Sequence, residues 1–138
     1  MEPTGASDGP APNANRRARE MTETNLDQHL PLTPVVFHTL LTLVEGQRHG
    51  YAIAQEVEER TGGRVKMGPG TLYGCLHRLS GLGYIQECDA PPYAAASERR
   101  RYYRLHDLGR SVLQAEARRL EADVHLLRVK NVLRGRRS

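Results

Sequence analysis

Apolar residues recur at helical spacing three times before residue 84, and the period then changes to that of a strand. Val36, Leu40, Leu43 and Val44 follow Thr33-Pro34. Thr33 suits the N-cap, and Pro34 suits the first helical position, where an N–H has no partner in any case. Gly46 closes that helix and His49-Gly50 reads as a turn. A second helix is predicted over residues 51–60, with Tyr51, Ile53, Ala54 and Val57 inward, Glu56, Glu58 and Glu59 outward, and Gly62-Gly63 as its stop. A third opens at Gly68-Pro69-Gly70-Thr71, buries Leu72, Leu76 and Leu79, and ends at Gly81 and Gly83. Thr71, Gly74, Cys75 and Arg78 are left on its exposed side. Two short helices with a tight, glycine-containing connection outline a helix-turn-helix.

Residues 84–88 and 101–105 then read as paired strands, with residues 89–100 as a long hairpin loop. Three helices followed by a basic hairpin make a winged helix. From Asp107 to about Lys130 one helix fits, about 36 Å long at 1.5 Å per residue. Along it Leu113, Ala117, Leu120, Val124 and Leu127 form a heptad seam whose next step is Asn131, a polar residue of the kind that fixes coiled-coil register. A small winged domain has no surface long enough to bury that seam, so these five residues are the candidate dimer interface. A helix folded back on its own domain is the alternative. The fold class is mainly α with a small β-hairpin: a winged helix-turn-helix plus a long C-terminal dimerisation helix. It divides into a disordered tail (1–30), the winged domain (31–106), the dimerisation helix (107–131) and a basic tail (132–138).

The tail holds Pro3, Pro10 and Pro12 and few bulky apolar side chains, too little to offset its ordering entropy. Its Arg16, Arg17 and Arg19 suit either a basic arm or a solvated segment, and Met21 is an alternative start. Charge sharpens the picture. Residues 1–30 carry three Arg and five acids, net −2, whereas residues 31–138 carry 17 basic and 11 acidic side chains, net +6. The folded part is thus basic, as a protein that neutralises phosphates would be.

Cys75 and Cys88 make neither a disulfide framework nor a metal-ligand spacing with His. No apolar run approaches the roughly 18 residues of a spanning helix, and no secretory signal opens the chain, so a cytoplasmic location is expected. No nucleophile–base set stands out. Gly68-Pro69-Gly70-Thr71 lacks the spacing of a phosphate-binding loop. The expectation is a protein that is not an enzyme, with no cofactor and no metal.

Several of these segments together resemble the PadR family of transcriptional regulators. They are His49-Gly50-Tyr51 with Ala52-Ile53, Gly70-Thr71-Leu72-Tyr73, Leu76 with Arg78-Leu79, Gly83-Tyr84-Ile85, Arg101-Tyr102-Tyr103-Arg104-Leu105 and Gly109-Arg110. The likeness covers about residues 32–130. It departs at Gly68, where the family usually has Ser, at Gly74, where Pro is common, and at His106-Asp107, where Thr usually caps the last helix. Asp107 is expected to take over that cap.

The third helix is the candidate for the major groove, with Gly70, Thr71, Gly74 and Arg78 toward the bases and Lys66 before it on a phosphate. The resemblance puts Tyr73 at the DNA surface, with core packing as the other reading. Of Arg99, Arg100 and Arg101, which alternation splits between faces, two are expected to reach the backbone or minor groove, with a charged strand edge that discourages aggregation as the other reading. The resemblance further implies a homodimeric repressor on a two-fold-related operator in double-stranded DNA. It also implies a small-molecule effector between the first and last helices, where Phe37 and His38 form a candidate pocket, with a partly buried structural His38 as the other reading. The rival reading is a winged-helix module for protein–protein interaction that binds DNA only non-specifically.

Overall fold

The computed structural model describes residues 26–92 and 101–134. Helix α1 (Pro34–Thr42) runs into a 3-10 turn (Leu43–Glu45) and a two-residue strand β1 (Arg48–His49). Helices α2 (Gly50–Arg60) and α3 (Pro69–Leu82) follow, then strands β2 (Ile85–Cys88) and β3 (Tyr102–Leu105), and finally α4 (Asp107–Val129). The strands form one antiparallel sheet in the order β1-β3-β2, with Ile85 opposite Leu105, Cys88 opposite Tyr102, and His49 opposite Tyr102 on the other edge.

Local chemistry sets the element ends. The Thr33 hydroxyl accepts from the Val36 N–H at 3.3 Å, and Pro34 opens α1. Gly83 takes the left-handed conformation at φ 83°, which closes α3 and lets the Tyr84 N–H reach back to the Leu79 carbonyl at 3.0 Å. Leu40, Leu43, Ile53, Val57, Leu76, Leu79 and Val112 are essentially sealed from solvent and join all four helices in one core. Tyr84, Ile85 and Tyr103 close it from the sheet side.

Several expectations are corrected. Val44 and Tyr51 are exposed rather than buried (39% and 55%). Val44 falls in the 3-10 turn, whose tighter winding rotates it off the α1 stripe. Tyr51 lies flat beside the His49 ring instead of entering the core. Cys75 is buried, because it stands three after Leu72 and four before Leu79 on the same face. His49 is no mere turn residue: it pairs in the sheet and its Nδ1 accepts from the Ala52 N–H at 3.1 Å, capping α2. His106, not Asp107, is the N-cap of α4, without a side-chain cap bond, and Asp107 lends its charge to the first turn.

The two ends of the described chain also differ from expectation. Residues 26–30, assigned to the tail, are held on the domain: Leu26 and Leu30 pack against the core, and His29 hydrogen-bonds the Tyr84 hydroxyl. Residues 1–25 lie outside the described residues, as do 135–138 of the basic tail. At the far end α4 stops at Val129, and Asn131 adopts φ 62°. The Val132 N–H then bonds the Leu127 carbonyl at 2.9 Å. Asn131 therefore terminates the helix rather than fixing a coiled-coil register, since Asn tolerates the left-handed conformation.

Candidate nucleic-acid interface

The exposed side of α3 is built by its buried side. With Leu72, Cys75, Leu76 and Leu79 in the core, helical geometry leaves Gly70, Thr71, Tyr73, Gly74, His77 and Arg78 on the surface. A Cβ placed on Gly70 or Gly74 meets nothing within 4 Å. The backbone of α3 is thus bare between its flanking side chains, and a ligand can approach it closely. Lys66 is exposed one residue before the buried Met67 that anchors the α2–α3 connection.

Tyr73 divides its ring between both expected roles. It is 51% exposed, yet its Cε1 lies 3.3 Å from the position of a Cβ on Gly50, so the ring rests on the start of α2. Arg78 is exposed and sits beside the Cys75 thiol. Burial pushes that thiol up, and the opposing charge and hydrogen bonding of Arg78 do not reverse it, so Cys75 stays a protonated core residue.

Arg101 lies at the base of the wing and pairs with Glu87, Nε to Oε2, at 3.2 Å. Arg99 and Arg100 lie outside the described residues. Four residues that the sequence reading did not assign to the site stand near this point. His77, Ser80, Glu87 and Tyr103 line, with Tyr73 and Arg101, a cleft of about 280 Å³ between α3 and the wing. His77 is four after Tyr73, a helical step that would have found it; Glu87 stands opposite Tyr103 across the sheet.

Of the five seam residues on α4, Leu113 is buried in the chain's own core. Ala117, Leu120 and Leu127 are exposed and Val124 is half-buried. Leu126, Val129, Val132 and Leu133 add further exposed apolar surface at that end. Phe37 and His38 are half-buried on α1, ring to ring at 5.1 Å. They do not line the cleft of about 610 Å³ formed by Leu26, Asp27, Leu30 and Pro31 against Ala115, Arg118 and Arg119 of α4.

The three-stranded winged domain that carries this face is a fold that known proteins share. A profile of the transcriptional regulator PadR-like family matches residues 39–115, more than half of the chain. The chain belongs to the PadR-like family. Membership places it among transcriptional regulators rather than enzymes.

Two relatives each match just over half of the chain. The chain is 36% identical over 78 residues to an uncharacterized 37.1 kDa protein in transposon Tn4556 of Streptomyces fradiae, covering 56% of this chain and 20% of that one. It is 33% identical over 76 residues to an uncharacterized protein X of Lysinibacillus sphaericus, covering 54% and 66%. It therefore spans a fifth of the first relative and just under two thirds of the second. Among solved structures, a transcriptional regulator from Clostridium thermocellum is 26% identical, with a TM-score of 0.55 over 67% of this chain and 85% of that one. A PadR family transcription regulator from Clostridium difficile shares the fold at a TM-score of 0.59 and 22% identity, covering 69% and 95%. Bacillus subtilis PadR, solved in complex with operator DNA, shares it at 0.52 and 23%, covering 61% and 45%. Among the described residues no helix is long and apolar enough to cross a membrane.

Proposed function

We propose that this PadR-like regulator binds a two-fold-related operator in double-stranded DNA as a homodimer and represses transcription from the cytoplasm. The single observation that carries the DNA contact is the open face of α3. Gly70 and Gly74 leave its backbone bare between Thr71, Tyr73 and Arg78, where a base edge or phosphate can reach it. Lys66 and Arg101 flank that face as phosphate contacts, and Arg99 and Arg100 are proposed as further contacts to DNA.

Dimerisation rests on α4, where Ala117, Leu120, Val124 and Leu127 lie at heptad spacing outside the chain's own core. An effector that shifts α4 against the winged domain would change the separation of the two α3 helices. Phe37 and His38, on the helix that packs against α4, are the residues proposed to meet it.

The test is titration of the purified chain against DNA upstream of its own gene, beside a scrambled duplex, at several salt concentrations. A preference of roughly a thousandfold, with two subunits per site, supports the reading. Equal, weak binding to both favours the rival reading of a protein-interaction module, which the exposed apolar end of α4 also suits.

A further inference from the structure

The cleft between α3 and the wing has a composition that surface packing does not explain. Among the described residues six line it, and five of them offer hydrogen-bond donors: Tyr73, His77 and Ser80 from α3, Arg101 and Tyr103 from the wing. The sixth, Glu87, is the only carboxylate among these described residues, and it holds Arg101 at 3.2 Å. Tyr103 is 5% exposed, so its phenol forms a fixed floor. Burial first, and then the Glu87 charge, push that phenol up, while Arg101 opposes; it therefore remains a protonated donor. The pair itself is exposed at both ends, 74% for Arg101 and 49% for Glu87. Ion pairs so exposed contribute little to stability. A carboxylate beside the bare face of α3 works directly against the binding of a polyanion.

We propose that this cleft seats one phosphate of the DNA backbone, that Arg101 exchanges Glu87 for that phosphate on binding, and that Glu87 thereby limits affinity for DNA of any sequence. The inference rests on the DNA-binding reading and adds residues and a sign to it. Donors that converge from two elements suit a tetrahedral anion, and a guanidinium exchanges one oxyanion for another without losing its hydrogen bonds. Because a phosphate carries no sequence information, the effect falls alike on operator and random DNA.

The experiment uses the full chain and its Glu87→Gln, Arg101→Gln and His77→Ala variants on a short random-sequence duplex across a salt series, with thermal melts to check folding. Removing one unit charge about 4 Å from a phosphate in water changes affinity about fivefold. Glu87→Gln is expected to tighten binding by that factor. Arg101→Gln should weaken it and flatten the logarithmic salt slope by about 0.9, and His77→Ala should weaken it to a smaller degree. A Glu87→Gln chain that melts as the parent does but binds no more tightly, or more weakly, overturns the inference while the parent's own binding stands. A parent chain that binds no duplex overturns the DNA-binding reading, and this inference with it.

Discussion

The backbone of Gly109 lies so close to that of Tyr84 that a Cβ on Gly109 would sit 2.0 Å from the Tyr84 carbonyl oxygen. The same oxygen accepts the His106 N–H at 2.9 Å, so it cannot swing aside without unseating the start of α4. Gly109→Ala is therefore expected to cost about 3 kcal/mol, the upper end for overpacking, and to lower Tm by roughly 10 °C. A melt within 2 to 3 °C of the parent, on the order of 1 kcal/mol, would mean that the contact relaxes freely.

Gly74 gives the opposite combination. It lies inside α3, and a Cβ there meets nothing within 4 Å. Gly74→Ala should raise stability by up to about 1 kcal/mol through helix propensity while weakening operator binding. Melting and DNA titration of one variant separate the two effects; unchanged binding would remove this face from the interface.

Arg78 and Lys66 are assigned different roles. Arg78→Ala should reduce operator affinity by about 1 to 3 kcal/mol with little change on scrambled DNA. Lys66→Ala should weaken both duplexes equally and lower the salt slope by about one. The same loss pattern for both would abolish the division.

Leu120 and Leu127 are 38% and 40% exposed, so charge there leaves the core intact. Leu120→Glu with Leu127→Glu should halve the solution mass measured by light scattering, at an unchanged far-ultraviolet circular dichroism spectrum. Operator binding should then fall far more than random-sequence binding, since a single winged domain reads only half a two-fold site.

Two of the described groups contribute to the acid limb of stability. The Glu116 carboxyl is held below its ordinary value by the Arg119 hydrogen bond, with burial opposing and the Leu32 N–H, at 3.0 Å, assisting. Its folded value is depressed, so its contribution is present above the usual carboxylate range, about 4.3, and is lost as pH falls through the folded value. His38 is also lowered, by burial first and then by Arg60 and Arg64, and its buried Nδ1 has no hydrogen-bond partner. Folding favours the neutral ring, so stability declines as pH drops below about 6.5. Melts from pH 8 to pH 3 should show both steps, and Glu116→Gln should remove the lower one.

The fold was largely legible because its elements announce themselves locally. Thr33-Pro34, Gly68-Pro69 and Gly83 mark helix ends through backbone constraints that need no tertiary context. Leu72, Leu76 and Leu79 identify the face of α3 by spacing alone. What escaped depends on distant partners. Arg48–His49 is a strand only because Tyr102 and Tyr103 stand beside it, and two residues carry no period. Glu116 reads as one more acid on a charged helix, yet it is 2% exposed because Leu32, 84 positions away, meets it. Cys75 could have been placed correctly from its register with Leu72 and Leu79. The cleft around Glu87 needed α3 and the wing together, which periodicity within either element does not supply.

His49 occupies a mechanical junction. It pairs with Tyr102 in the wing sheet, caps α2 through Ala52, and precedes Gly50, on which the Tyr73 ring of α3 rests. Wing, α2 and α3 are thus joined through two consecutive positions, His49 and Gly50. Under the proposed DNA contact, a tilt of the wing would therefore reach α3 through this junction rather than stay within the sheet.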